Sequence, residues 1–501
     1  MLPLLTAEQI RRADVHTIAN EPVSSIELME RASKAFVGWF VNHFTDKKEN
    51  IAVYCGTGNN GGDGLAIARI LFEHGYTHLH VKVARFSEKT TNDFDTNLKG
   101  LQKLSVPVAE LLPGDGFEQE GATVIIDAIL GSGLNKPLTG HFEKLAKLIN
   151  GLSATVVAVD IPTGFFADGE IPADAIVIRA DVVITFQQPK INFLLPESAP
   201  YIDCWRVVNI GLEEKFIKSL NSPYQFIEER DARAIIKPRK QFSNKGTYGH
   251  AFIIAGEPET MGAALLCASA CLFAGAGLTT AFIPQSGLVA LNSSQPEIMA
   301  VIRDENKLPE IAWDKYTAVA IGPGLGKHDN ALNLLTEALA HFNKPVVIDA
   351  DALNLLAENP ELLKKLPNGS VLTPHMKEFD RLFGLHTNWW QRLQTARGKA
   401  AELNVYIILK NDYTMVVAPD GKVYFNSTGN PAMAVGGMGD VLTGVLASLL
   451  AQKYKPEEAC ILGAYIHGKA GDELALPNKL NVVMPTEISR RIPATMAKLL
   501  A

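Results

Sequence analysis

The sequence predicts an α/β protein made of two fused three-layer αβα domains. Short apolar runs rich in β-branched residues recur along the chain, each closed by Gly, Asp or Pro, as strands buried on both faces of a sheet require. Stretches of helical length separate them, and alternating strand and helix means parallel sheets with helices on both sides. The length, 501 residues, exceeds what one ordinary domain holds.

In the first half the strand-like runs are IAVYCG (51–56), HLHVKVARF (78–86), ATVIIDAIL (122–130), ATVVAVDIP (154–162) and ADVVITF (180–186). The spacing predicts helices over GDGLAIARILFEHG (62–75) and over 22–44, the latter apolar enough to serve a subunit interface. In the second half the runs are HAFIIAG (250–256), GLTTAFIP (277–284), AVAIGPG (318–324), PVVIDAD (345–351), a short strand at 369–373 and NVYIILK (404–410), with a helix over 331–342. The segment 211–235 breaks this rhythm and is richer in charge. It sets the expected division: domains 1–212 and 226–501, joined by a linker over 213–225. The halves show no sequence repeat, so the chain reads as a fusion of different domains.

Composition is that of a soluble globular protein, 47% hydrophobic and 20% charged. A net charge of −7 argues against nucleic acid as a partner. Cys55, Cys204, Cys267, Cys271 and Cys460 form no CxxC pair, which fits free thiols in a reducing cytosol. Cys267 and Cys271 lie one helical turn apart in an Ala- and Leu-rich segment, so core packing is expected of them. The N-terminus MLPLLTAEQIRRADVHTI lacks a basic region and a long apolar core, and no run approaches the roughly 20 apolar residues of a membrane span. A cytoplasmic protein that does not engage membranes is expected.

In open parallel sheets ligands collect at the carboxyl ends of strands, so the residues after each run carry the chemistry. The stretch GNPAMAVGGMGDVLTGVLASLLAQ (429–452) places Gly436, Gly437 and Gly439 before Asp440 and an apolar helix. Bare glycine backbone turns N–H groups inward, and the helix start adds partial positive charge. Together they form an anion hole suited to a transferring phosphoryl group. Asp440 at its lip is placed to take a proton from an attacking hydroxyl. GPGLG (322–326), DADALN (349–354) and TPHMKEFDRL (373–382) end other strands. Lys410, which meets a phosphate as a point charge, and Thr414 follow the last run.

In the first half Gly56, Gly58 and Gly61 match GxGxxG. The acidic residue expected about 20 positions later is missing, because that strand ends in Ala84-Arg85-Phe86. This counts against an ordinary NAD dehydrogenase. Asn59, Asn60 and Asp63 amid glycines suit phosphate contact or cation binding through oxygen. Asp127 before GSGLNKPLTG and Asp160 before IPTG end two strands and should point into the same crevice. A partly desolvated Asp serves as acid and base, and another could hold a monovalent cation with Asn60 and Thr163.

CGTGNNGGDG, DAILGSGLNKPL and AVDIPTG together resemble the NAD(P)H-hydrate epimerase domain, a Rossmann-like fold. The resemblance covers residues 1–212. It implies that Asn59, Asn60, Gly61, Gly62 and Asp63, with Gly131, Ser132, Gly133, Leu134, Asn135, Lys136 and Pro137, bind the hydrated nicotinamide nucleotide. It implies potassium ligands at Asn60, Asp127 and Thr163, and a catalytic acid/base at Asp160. Ser132 stands where the family has Thr and Thr163 where it has Ser, and both exchanges keep the hydroxyl.

GNPAMAVGGMGDVLTG, with the order and spacing of the other motifs, resembles the ADP- or ATP-dependent NAD(P)H-hydrate dehydratase of ribokinase-like fold over residues 226–501. That resemblance implies contacts to the hydrated nucleotide from Ala263, Gly324, His375 and Asp440. It assigns the adenine nucleotide, with its Mg2+, to Lys410, Asn411, Asp412, Tyr413, Thr414 and Gly439. Ala432, Val435 and Met438 replace the family's Gly, Thr and Thr; Met376-Lys377 replaces Pro-Gly, and Asn411 replaces Gly. The implied activity is repair of hydrated NADH and NADPH (NADHX and NADPHX) by a homo-oligomer, with ADP expected as donor from similarity to bacterial forms. Two alternatives stay open on the residues: a plain thiazole- or hydroxymethylpyrimidine-type kinase in the second half, and a non-catalytic binding module in the first.

Overall fold

The computed structural model of the protein describes residues 1–114, 121–303 and 310–501. By its contacts the chain divides into two compact units, one of Pro3–Ser222 and one of Met1–Leu2 with Pro223–Ala501.

The elements from the N-terminus through the first unit are β1 (Leu2–Leu4), α1 (Ala7–Asn20), α2 (Ser25–His43), β2 (Ile51–Cys55), α3 (Asn59–Glu73), β3 (Leu79–Ala84), α4 (Asn92–Leu101), β4 (Val108–Leu111), β5 (Val124–Ala128), α5 (Gly140–Asn150), β6 (Thr155–Val159), β7 (Ala180–Phe186), β8 (Ile202–Val208) and α6 (Glu214–Ser219). Seven of these strands form a sheet in the order β4-β3-β2-β5-β6-β7-β8, and every pair in it is parallel. Alternation along β2 shows why its sequence is continuously apolar. Ile51, Val53 and Cys55 enter one core with α2 and α3, while Ala52 and Tyr54 enter the core on the opposite face. Part of the apolar stripe of α2 lies inside the unit: Phe36, Val37 and Phe40 pack into the first of these cores.

The second unit continues with β9 (Tyr224–Ile227), α7 (Glu229–Ile235), β10 (His250–Ile254), α8 (Met261–Phe273), β11 (Leu278–Pro284), α9 (Leu288–Ser294), β12 (Met299–Arg303), β13 (Ala318–Ile321), α10 (Asp329–His341), β14 (Val346–Ile348), α11 (Ala350–Glu358), β15 (Val371–Leu372), α12 (Met376–Phe383), α13 (Trp389–Leu403), β16 (Tyr406–Leu409), β17 (Met415–Val417), β18 (Val423–Asn426), α14 (Met438–Ala451), α15 (Pro456–Ala475) and α16 (Pro485–Leu500). Its sheet runs β1-β9-β18-β17-β16-β15-β14-β13-β10-β11-β12. The expectation of a purely parallel sheet fails here, because β16, β17 and β18 form an antiparallel meander. β17 and β18 are too short to give a sequence signal distinct from a loop. β4 and β8 were also unforeseen; both are edge strands with several exposed residues, so neither reads as a continuous apolar run. Cys267 and Cys271 are free and fully buried in α8, as their spacing suggested. Residues 213–225, expected as a linker, hold α6 and the start of β9.

Each sheet reverses its direction of winding once. In the first, β2 lies between β3 and β5; in the second, β10 lies between β11 and β13. A crevice opens beyond the strand ends at such a reversal, which places the loops after β2 and β5, and after β10 and β13, at the candidate sites.

Candidate active sites

In the first unit α3 begins at Asn59, earlier than its apolar pattern suggests, so the NNGGD segment is the helix's first turn. Its free N–H groups therefore face the crevice. The glycines permit this close seat. A Cβ at Gly61 would enter the backbone of Gly56, and one at Gly64 would stand 2.5 Å from the Ala128 Cβ and 2.8 Å from the Cys55 Sγ.

A cavity of about 530 Å³ opens there, lined by Asn59, Asn60, Asp63, Gly131, Ser132, Gly133, Leu134 and Asp160 among the expected residues. Gly61 and Gly62 lie behind it as packing positions, and Gly62 abuts Met29. Asn135, Lys136 and Pro137 do not line it and are exposed. Further lining groups were not foreseen, among them Arg11 and Asp14 from α1, and Gln187, Gln188 and Lys190 after β7. One signal for Asp14 was available, because it shares a helical stripe with Ile10, Ala13 and Thr17, where an apolar residue would be expected.

Asp160 has φ 65°, a region that non-glycine residues seldom occupy and that clusters at functional sites. Its Oδ1 accepts from Lys190 Nζ at 2.6 Å, the Phe186 N–H at 2.9 Å and Thr185 Oγ1 at 3.2 Å. Lys190 is 1% exposed, and a buried ammonium needs such a partner. Three donors thus fix Asp160 in place through one oxygen. At Asp14, burial first, then the Asp160 charge, push the carboxyl up to about 7, against Lys190. Burial, then Asp160 and Asp14, also holds the Asp63 carboxyl well above the carboxylate range.

Asp127 lies beneath, fully buried. It accepts from the Thr163 N–H and Oγ1, both at 2.7 Å, and from the Ile129 N–H at 3.2 Å. Burial raises its carboxyl to about 6, with these donors opposing. The Leu130 N–H donates to Thr163 Oγ1 at 2.9 Å, and a Cβ on the adjoining Gly131 would meet the Asn60 side chain. The Asn60 amide nitrogen is buried without a partner. The Asp127 carboxylate and the Thr163 hydroxyl are thus paired in the interior, with the Asn60 side chain beside the adjoining loop.

In the second unit α14 starts at Met438, behind Gly437 at φ 97°. The first-turn amides of α14 have no intrahelical partner and open onto Lys410, whose Nζ lies 3.2 Å from where a Gly439 Cβ would be. Lys410 Nζ also donates to Asp349 Oδ1 at 3.0 Å, and Thr443 Oγ1 donates to Asp349 Oδ2 at 2.7 Å. Burial disfavours the Asp349 charge, but Lys410 and the hydrogen bonds prevail and its carboxyl sits below its ordinary value. Asp440 fares otherwise. Burial, then Asp349, raise its carboxyl to about 7, with Lys410 opposing. A pair with one buried anion locked and a partly buried carboxyl near neutrality is an acid–base arrangement.

His375 bridges to Lys410 and caps α12, its Nδ1 accepting from the Lys377 and Glu378 N–H groups at 3.1 and 3.3 Å. Burial first, then Lys410, lowers its basicity, so the ring is neutral with its proton on Nε2. Across the β10/β13 crevice Thr260 Oγ1 donates to the Gly324 carbonyl at 2.7 Å, and the Ala263 N–H to the Thr260 carbonyl at 3.1 Å, which brings Ala263 and Gly324 together. After β16 the Asn411 amide is buried with neither atom hydrogen-bonded, a costly state unless a ligand completes it. Thr414 Oγ1 donates to the Asn411 carbonyl at 3.2 Å; Tyr413 is half-buried, and Asp412 points to solvent. Sequence reasoning did not foresee the Asp349–Thr443 contact, nor His467 on α15, whose Nε2 is buried without a partner. Burial, and then Lys410, push that imidazole down to about 4.

Comparison with known proteins bears on both units. A family model described as NAD(P)H-hydrate dehydratase matches residues 251–494, and one described as YjeF-related protein N-terminus matches residues 25–192. The chain is 34% identical over 519 residues to a Moorella thermoacetica protein described as a bifunctional NAD(P)H-hydrate repair enzyme, covering 99% of this chain and 97% of that one. An Escherichia coli protein of the same description is 32% identical over 473 residues, covering 94% and 89%. Among solved structures, a ribokinase-like superfamily protein of Enterococcus faecalis is similar to 55% of this chain and 96% of its own, with 30% identity and a TM-score of 0.50.

Proposed function

We propose residue roles for the two sites from one premise: this chain belongs to the bifunctional NAD(P)H-hydrate repair enzymes. It repairs hydrated NADH and NADPH, with an epimerase in the first unit and an ADP- or ATP-dependent dehydratase in the second. The observation that carries the assignment of roles is Asp440, near neutral and at the mouth of a glycine-rich helix start beside the Lys410–Asp349 pair.

In the dehydratase, Asp440 takes the proton of the C6 hydroxyl of the S hydrate, and that oxygen attacks the terminal phosphoryl of ADP. Charge grows on the phosphoryl oxygens, where the Gly436–Gly439 amides and Lys410 stabilise it. The C6–O bond then breaks with its electron pair leaving in phosphate, a proton is lost from C5, and the C5–C6 double bond re-forms, leaving NAD(P)H, AMP and inorganic phosphate. Ala263, Gly324 and His375 hold the hydrate. Lys410, Asn411, Asp412, Tyr413, Thr414 and Gly439 hold the nucleotide, and the unpaired Asn411 amide supports this. Magnesium entering on the nucleotide phosphates would neutralise charge with few protein ligands, and Asp440 and Asp349 are the carboxylates at hand.

In the epimerase, residues 59–63 and 131–137 hold the hydrate and Asp160 is the acid/base. Asn60, Asp127 and Thr163 would hold potassium, which supplies a fixed positive charge between the two loops. The test is a mixed R/S preparation of hydrated NADH given to the full chain with magnesium and either ADP or ATP. Full recovery of reduced-nicotinamide absorbance with one phosphate per hydrate is expected, and the faster nucleotide identifies the donor. A stable phosphorylated product without phosphate release would overturn the assignment in favour of a plain kinase.

A further inference from the structure

The epimerase reaction inverts a carbon, so a bond must break on one face of the nicotinamide ring and form on the other. One carboxylate fixed in place serves one face. Asp160 is fixed in place, tied by the Lys190 ammonium, a backbone N–H and the Thr185 hydroxyl. The same cavity is lined by a second carboxyl group from a different element, Asp14 of α1. Asp14 occupies a position on the inner stripe of α1 where packing calls for an apolar side chain, and among the described residues its carboxyl engages no hydrogen-bond donor or ion-pair partner.

We propose that Asp14 is a second acid–base residue of the epimerase, serving one face of the C6 centre while Asp160 serves the other. This rests on the epimerase reading of the first unit. One epimer enters with Asp14 protonated and Asp160 ionised. The Asp14 proton passes to the C6 hydroxyl oxygen, the C6–O bond breaks with its electron pair leaving in a water molecule, and the N1 lone pair closes a planar iminium between N1 and C6. A water molecule then forms the new C6–O bond from the other face and hands its surplus proton to Asp160. The product is the other epimer, with Asp14 ionised and Asp160 protonated. One proton exchanged with solvent resets the pair, and the reverse reaction uses the opposite protonation states.

The charges around Asp14 support this division. Asp63 faces it from α3, Asp160 from the loop after β6 and Lys190 from the loop after β7, with Arg11 one turn back on α1. On the side of α6, Glu213 is taken by His16 at 2.7 Å. Burial and the Asp160 carboxylate outweigh the ammonium, which holds the Asp14 carboxyl at about 7, ready to donate near neutral pH.

The experiment uses the full chain, one purified epimer of hydrated NADH and the variants D14N and D160N. Epimerisation is followed by chromatography between pH 5.5 and 9, with the spontaneous rate subtracted. Removing a general acid costs about 100-fold or more, and D14N should lose that much while binding the S hydrate within threefold of wild type by calorimetry. The wild-type rate should fall above about pH 7 as Asp14 ionises, and the residual rate of D14N should lack that limb. Dehydratase turnover of the S hydrate by D14N should be unchanged. A D14N rate within threefold of wild type with the limb retained overturns the proposal, as does a loss of rate matched by a loss of hydrate affinity. A wild-type chain that leaves the epimer untouched overturns the epimerase reading itself, an outcome distinct from either.

Discussion

Replacing Asp440 by Asn should move activity and stability of the second unit in opposite directions. The folded unit disfavours the Asp440 charge, raising the carboxyl from 3.8 to about 7, through burial first and then Asp349. That is about 3 pH units, and at 1.36 kcal/mol each the ceiling is about 4 kcal/mol. The sign follows from proton binding. Below pH 3.8 both states are protonated and nothing is lost. Between 3.8 and about 7 the folded state holds a proton that the unfolded state has released, so stability falls as pH rises through that window. Partial exposure of the side chain and screening reduce the ceiling to roughly 1–2 kcal/mol. Loss of a carboxylate at the start of α14 takes back roughly 0.3–1 kcal/mol. D440N should therefore unfold about 2–4 °C above wild type at pH 8, with a smaller difference at pH 5, while dehydratase turnover drops about 100-fold or more. The assay is thermal unfolding of the full chain at both pH values, read on the transition that nucleotide raises, beside phosphate release. A variant less stable than wild type at pH 8, or a difference independent of pH, refutes the electrostatic account.

Further outcomes follow from the same geometry. For the wild type, dehydratase kcat/KM should climb about tenfold per pH unit up to about 7 and then flatten, because the base must be ionised; a profile flat from pH 5.5 to 8.5 would exclude Asp440 as that base. K410M leaves Asp349 buried without its ammonium and should cost about 3 kcal/mol of stability together with most nucleotide affinity, measurable by denaturant titration and calorimetry. Unchanged nucleotide affinity would remove Lys410 from that site. G61A puts a methyl into the Gly56 backbone and should destabilise the first unit by about 1–3 kcal/mol, lowering epimerase but not dehydratase turnover. Exchange of potassium for tetramethylammonium at constant ionic strength should weaken hydrate binding by the first unit, and equal binding in both salts would dissociate Asn60, Asp127 and Thr163 from cation binding.

Much of the site was legible because strand-end loops are short, contiguous and glycine-rich. Asn59, Asn60 and Asp63 are one such loop, and Gly439 and Asp440 another; local pattern alone puts each at a helix start after an apolar run. Asp127 and Asp160 were legible as strand-end acids, but not as unlike ones. Asp127 accepts from Thr163 and Ile129, whereas Asp160 is bound to a lysine that no local motif marks. His375 shows the reverse limit. Its motif suggested a ligand contact, and the fold adds a capping role through Nδ1 that fixes which ring nitrogen carries the proton.

By itself the sequence determined the alternation of strand and helix, the two α/β units and the loops able to cradle an anion. Each of these depends on residues within a few positions of one another, through backbone propensity, side-chain periodicity and glycine's freedom near Gly437. Only the tertiary structure decided which distant groups share a field: Asp14 with Asp160 and Lys190, Asp349 with Lys410 and Asp440, and the antiparallel turnback at β16–β18. A carboxyl's proton affinity depends on the burial and charges within a few ångströms of it, and here those charges come from elements far apart in the chain.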